Sequence, residues 1–123
     1  MKIAILSSGE GQSLQALVQA QKENQLKAEL CCLITDKADC PAAGAARANK
    51  VRVYYFDSRD VTPEVFEEQV VATLEFFKPD LILADGFAKP LSQSSAEKYG
   101  DRLKTLDSES PGDVVAMVKG LAK

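Results

Sequence analysis

Short apolar runs bounded by turn-forming residues alternate along this chain with stretches whose apolar positions recur at helical spacing. Ile3 to Leu6 is long enough for one buried strand and too short for a helix. Ser7, Ser8, Gly9 and Gly11 follow, residues that let a chain turn sharply and bring its backbone near a ligand. From Gln12 the period changes, with Leu14, Leu17 and Val18 on one side and Gln15 and Gln19 between them, which predicts a helix fading near Lys22 to Asn24. Strand, glycine-rich turn and helix start in that order form the first half of a βαβ unit.

The alternation continues. Ala28 to Thr35 reads as a second strand, and its unbroken run Leu30-Cys31-Cys32-Leu33-Ile34 marks a strand covered on both faces. Asp36 falls at its carboxyl end. Asp39 is placed to cap the next helix, with Cys40 and Pro41 in its first turn and the alanine-rich stretch Ala42 to Ala48 packing closely after them. Val51 to Phe56 is a third strand. The helix from Pro63 to Phe77 has Thr62 as cap, Pro63 in its first turn, Glu64, Glu67 and Glu68 near its start, and Val65, Phe66, Val70, Leu74 and Phe77 as its core-facing stripe. Lys78-Pro79-Asp80 breaks it. Leu81 to Ala84 gives a fourth strand with Asp85-Gly86-Phe87 at its end. A short helix from Ser92 to Tyr99 and a strand from Leu103 to Leu106 follow, and Ser110-Pro111 opens a helix carrying Val114, Val115, Val118 and Leu121. The fold class expected is α/β, a doubly wound, mostly parallel sheet with right-handed crossovers in a single domain over residues 1–123, with the first turn near the end of the fourth strand if the order is 3-2-1-4.

Composition narrows the function. At 123 residues and 46% apolar content, one core is expected and hardly two. A net charge of −3 with mixed signs provides no basic footprint for nucleic acid. No apolar stretch approaches the roughly 18 residues of a membrane span, and a chain that starts directly on a strand is expected to lack a signal peptide. Cys31, Cys32 and Cys40 lack metal-ligand spacing, and strand neighbours point to opposite faces, so Cys31 and Cys32 are expected not to share a ligand. Reduced, buried thiols in a cytoplasmic protein are the expectation. There is no histidine, so any acid–base chemistry would fall to a perturbed carboxylate, lysine or cysteine.

The first turn admits two readings. Gly9 and Gly11 can serve only to permit a tight connection, or the helix start behind them can present free N–H groups and a positive dipole end to a phosphate or carboxylate. A dinucleotide fingerprint needs glycine where Leu14 stands, which also weighs against Asp36 as a ribose-binding acid, and a P-loop needs a Gly-Lys-Ser/Thr that is missing. The turn suits a small anion.

Together, several pieces resemble the phosphoribosylglycinamide formyltransferase family, the folate-dependent enzymes of purine synthesis. They are Met1-Lys2-Ile3 through Leu6-Ser7-Ser8-Gly9-Glu10-Gly11, Leu14-Gln15-Ala16, Thr35-Asp36-Lys37-Ala38-Asp39, Phe76-Phe77-Lys78-Pro79-Asp80, Ala84-Asp85-Gly86-Phe87 and Tyr99-Gly100-Asp101-Arg102-Leu103. The order holds over residues 1–106, the amino-terminal half of a usual member, with 107–123 a divergent helix. The resemblance implies that main-chain amides of Gly9, Gly11, Gln12 and Ser13 hold the substrate's phosphate, where the usual Ser-Asn pair is Gln-Ser and Glu10 adds a negative charge. It implies 10-formyltetrahydrofolate as co-substrate, with Phe87, Ala88, Lys89 and Leu91 in the loop that lines the folate pocket, where the usual Met-Arg-Ile between Phe87 and Leu91 is replaced. Family members carry Asn-x-His-Pro on the catalytic strand to polarise the formyl group; here Thr105 and Asp107 occupy the asparagine and histidine positions, and no catalytic residue is assigned. Each lost oxyanion donor costs about two to three powers of ten in rate, and the family's assisting aspartate lies on a part of the fold beyond this chain's end. The expectation is a phosphate- or nucleotide-binding homologue without transferase activity. A non-catalytic interaction module is the alternative, with a second copy or a partner chain covering the missing half.

Overall fold

The computed structural model describes residues 2–7, 9, 12–23, 29–37, 39–57, 59, 61–85 and 97–106. Strands β1 (Lys2–Leu6), β2 (Glu29–Thr35), β3 (Val53–Tyr55), β4 (Leu81–Asp85) and β5 (Leu103–Leu106) alternate with helices α1 (Gln12–Lys22), α2 (Pro41–Ala48) and α3 (Pro63–Phe77). The strands form one sheet in the order β3-β2-β1-β4-β5, and every pairing is parallel. Strand order therefore reverses between β1 and β4, where ligands enter doubly wound sheets beyond the carboxyl ends of the strands.

The two faces of the sheet carry separate cores. Ile3, Ile5, Leu30, Leu33, Leu81 and Leu83 pack with Leu14 and Leu17 of α1 and Ala42, Ala43 and Ala46 of α2. The small side chains of α2 let that helix lie close against the sheet. On the opposite face Ala4, Leu6, Ile34 and Ile82 pack with Phe66, Val70 and Leu74 of α3 and with Tyr99. Continuous apolar strand runs follow directly from this double covering.

Helix α3 has the bounds its sequence predicts. Thr62 Oγ1 accepts the N–H of Val65 at 3.2 Å, Pro63 fills the first turn, and Lys78 closes the helix in the left-handed region with its N–H donated to Leu74. Its stripe is narrower than expected: Phe66, Val70 and Leu74 are buried and Phe77 partly so, whereas Val65 is exposed, one residue round the helix from Phe66.

Three further expectations need correction. Asp39 does not cap α2. Cys40 is the N-cap, without a side-chain cap bond, and the Ala42 N–H is instead donated to the carbonyl of Gly9 at 3.0 Å. Strand β3 is shorter than Val51 to Phe56, because the Val51 N–H is taken by Ala46 as the chain leaves α2. Cys31 and Cys32 do not lie on opposite faces. Ile3 pairs with Leu30 but Ala4 pairs with Cys32, so Cys31 is an extra residue in β2, and both cysteines join the core under α3. The expected helix from Ser110 lies outside the described residues, as does the start of the one ending at Tyr99; residues 97–99 are helical.

Candidate functional site at the strand ends

The site is built where the chain leaves β1. Ser7 is fully buried; its N–H is donated to Ile34 at 3.0 Å, and its Oγ accepts the Gly9 N–H at 3.4 Å. A hydroxyl accepting the N–H two residues on is a local turn device, and the neighbouring strand repeats it. At the end of β2, buried Thr35 accepts the Lys37 N–H through Oγ1 at 3.0 Å, with its hydroxyl also within 3.4 Å of the Cys40 sulfur. Sequence reasoning misses the role of these hydroxyls, although a Ser or Thr closing each apolar run is a visible signal.

Gly9 is tied at both its polar groups, to Ser7 through its N–H and to Ala42 through its carbonyl. Among the described residues a Cβ built on Gly9 meets nothing within 4 Å, and its φ lies outside the left-handed region. Neither backbone conformation nor internal packing requires glycine there. Behind the turn, α1 starts at Gln12, so the first-turn N–H groups of Gln12 and Ser13 have no intrahelical carbonyl to serve. Gly11 lies outside the described residues.

Across the reversal point, the sheet register places the other candidate positions. Leu6 pairs with Ala84, and Ala84 with Thr105. Thr105 thus shares a row with the residue preceding Ser7, two strand spacings or roughly 10 Å away. Asp85 is the last residue of β4 rather than the first of the loop. Phe87, Ala88, Lys89, Leu91 and Asp107 lie outside the described residues.

Beyond β3, one ion pair closes its own loop. The Arg59 guanidinium donates from Nε to Asp57 Oδ1 at 3.1 Å and from Nη2 to Oδ2 at 3.2 Å; this bond holds the Asp57 carboxyl below the usual carboxylate range and the guanidinium above its own. Arg59 is therefore a cation already held by the acid two residues before it. Among the described residues no three metal-ligating side chains gather, and no helix is long and apolar enough to cross a membrane.

A family model described as formyl transferase matches residues 1–105. The chain belongs to the formyl transferase family. It is 30% identical over 108 residues to the phosphoribosylglycinamide formyltransferase of Escherichia coli K12, an alignment covering 84% of this chain and 49% of that protein. The crystal structure of phosphoribosylglycinamide formyltransferase from Brucella melitensis superposes with a TM-score of 0.78 at 28% identity, over 85% of this chain and 55% of that one. A formyltetrahydrofolate deformylase from Pseudomonas putida KT2440 shares the fold, with a TM-score of 0.76 at 18% identity, over 85% of this chain and 37% of that one. This formyl transferase family chain spans about half the length of the first two, and the matches fall in their amino-terminal part.

Proposed function

We propose that this formyl transferase family domain binds a small phosphorylated ligand at the turn between β1 and α1 and does not transfer a formyl group as a single chain. The observation that carries the reading is the start of α1 at Gln12 behind the turn that holds Gly9, where among the described residues no atom lies within 4 Å of a Cβ built on Gly9. Main-chain donors at Gly11, Gln12 and Ser13 would meet the anion without any particular side chain. Gly9 serves by letting the ligand approach, since its N–H is already donated to Ser7.

Loss of transfer rests on the side chains. Thr105 and Asp107 stand at the asparagine and histidine positions of the resembled family, the chain has no histidine anywhere, and a carboxylate at Asp107 opposes an oxyanion. The folate loop and 10-formyltetrahydrofolate come from family membership alone, and no step of the proposal runs through them. Three free, buried thiols suit a reducing compartment, which we take to be the cytoplasm.

The test is a melting titration with inorganic phosphate, ribose 5-phosphate, glycinamide ribonucleotide and 10-formyltetrahydrofolate, since a ligand that prefers the folded state raises Tm. A rise with the phosphorylated ligands, and no turnover when the last two are mixed, is expected. No rise with any of them overturns the binding half, and turnover overturns the inactive half. A second reading, an interaction module that pairs with another copy or with a partner chain, is favoured by Phe76, 74% exposed on α3. A stable dimer without any ligand-induced shift would select it.

A further inference from the structure

Helix α3 carries a second set of positions in line that the core does not use. Val65, Gln69, Ala72 and Phe76 are all exposed, and their spacing of four, three and four residues keeps them on one side of the helix. Phe66, Val70 and Leu74 lie on the other side, in the core against the sheet. Val65 is 40% exposed and Phe76 74%. The Phe76 ring meets Phe77 edge-on at 5.0 Å, and Phe77 in turn meets Tyr54 at 5.6 Å. The outermost ring is thus backed by two others, and Phe77 and Tyr54 pack on the core. From Val65 to Phe76 the seam runs about 16 Å at 1.5 Å per residue. It is convex and three turns long, which suits a second helix laid alongside rather than an enclosed small molecule.

Charge decides which helix. Glu68 and Glu75 immediately precede Gln69 and Phe76 and so flank the seam on one side, with Glu64 one turn before Glu68; all three are exposed. Between Pro63 and Phe77 there is no lysine or arginine. Glu75 is engaged, accepting from Lys98 Nζ at 2.8 Å and from the Tyr99 hydroxyl at 3.2 Å, whereas among the described residues Glu64 and Glu68 have no cation at ion-pair distance. A symmetric contact with a second copy puts the same patch on both sides. Along α3 that sets acid against acid, which opposes pairing. We infer that the exposed face of α3 docks an amphipathic helix of another protein, one whose apolar stripe is flanked by lysine or arginine. Helix α3 covers the face of the sheet opposite α1 and α2, so this surface is independent of the ligand turn.

Two labelled synthetic helices titrated with the full chain and read by fluorescence anisotropy test this. Both carry leucine at the seam positions; one has lysine at the flanks and the other glutamate. Saturable binding of the lysine helix is expected, weakening as salt rises, with no binding of the glutamate helix. Phe76→Ser, which leaves the buried face of α3 untouched, should weaken the lysine helix roughly tenfold or more. Glu68→Lys should weaken it too, while allowing the glutamate helix to bind. No binding of the lysine helix, equal binding of both, or binding indifferent to Phe76→Ser would each overturn the proposal. So would a dimer of the free chain that Phe76→Ser dissociates, which assigns the seam to a second copy.

Discussion

Ala42, in the first turn of α2, donates its backbone N–H to the carbonyl of Gly9 at 3.0 Å. A helix N-terminus must find partners for its first N–H groups, and α2 takes one from the turn after β1 rather than from its own cap. Gly9 is thereby tied from two sides, to Ser7 behind it and to α2 beside it. A ligand arriving beside Gly9 would meet a residue whose N–H and carbonyl are already engaged, so holding that residue would add little ordering cost to binding.

Replacing Gly9 by alanine should separate fold from binding. The added methyl meets no atom of the described residues within 4 Å and the backbone angle suits an L-residue, so unfolding free energy should stay level or rise by about 0.4–1 kcal/mol through the unfolded chain's reduced freedom. The same methyl projects into the space assigned to the ligand. The Tm rise produced by phosphate should shrink or vanish, measured by thermal melts of both proteins with and without phosphate.

The hydroxyl of Thr35 supports the neighbouring turn, and Thr35→Val removes it while keeping shape. The Lys37 N–H then loses its 3.0 Å acceptor in a partly buried setting. A loss of about 1–3 kcal/mol is expected from urea unfolding. Ser7→Ala should cost less, since its bond to Gly9 is longer at 3.4 Å.

What the sequence makes visible follows from where its information is local. Thr62-Pro63 at one end and Lys78-Pro79 at the other delimit α3 by short-range chemistry, and the structure keeps both bounds. Leu30 to Ile34 is different: in a strand buried on both faces every position is apolar, so alternation is erased and an extra residue at Cys31 leaves no trace in the pattern. Asp39 is a good cap in isolation, but the Gly9 carbonyl that serves α2 comes from far upstream and no window around Asp39 contains it. The glycine turn itself is legible from Gly9 and Gly11, whereas the way Ser7 and Ala42 hold it needs the fold.

Tyr99 sets an alkaline limit on stability. Its ring is buried against the sheet, its hydroxyl is donated to Glu75 at 3.2 Å, and Lys98 and Arg102 face it from its own segment. Burial, with the Glu75 charge adding to it, pushes the phenol from 10.0 up to about 12. The folded state therefore keeps a proton that the unfolded chain releases, and stability falls as pH rises. The contribution is complete below pH 10 and lost by about pH 12. Denaturant unfolding of the chain and of Tyr99→Phe across that range should show this slope in the first and its absence in the second.

Helix α3 presents one face to the sheet and another to solvent, and two substitutions distinguish them. Leu74 is 1% exposed among Phe66, Val70 and the strand residues, so Leu74→Ala should cost about 2–5 kcal/mol. Phe76, two residues on, meets Phe77 edge-on at 5.0 Å and otherwise stands in solvent at 74% exposure, so Phe76→Ser should cost about 1 kcal/mol or less. Sizing chromatography of that second variant then bears on function as well as fold. If Phe76 is only a surface residue, the elution volume stays where it was; if the domain works by pairing, removing the most exposed ring among the described residues lowers the assembled fraction while the melting temperature hardly moves, since the ring supports a contact outside the folded core.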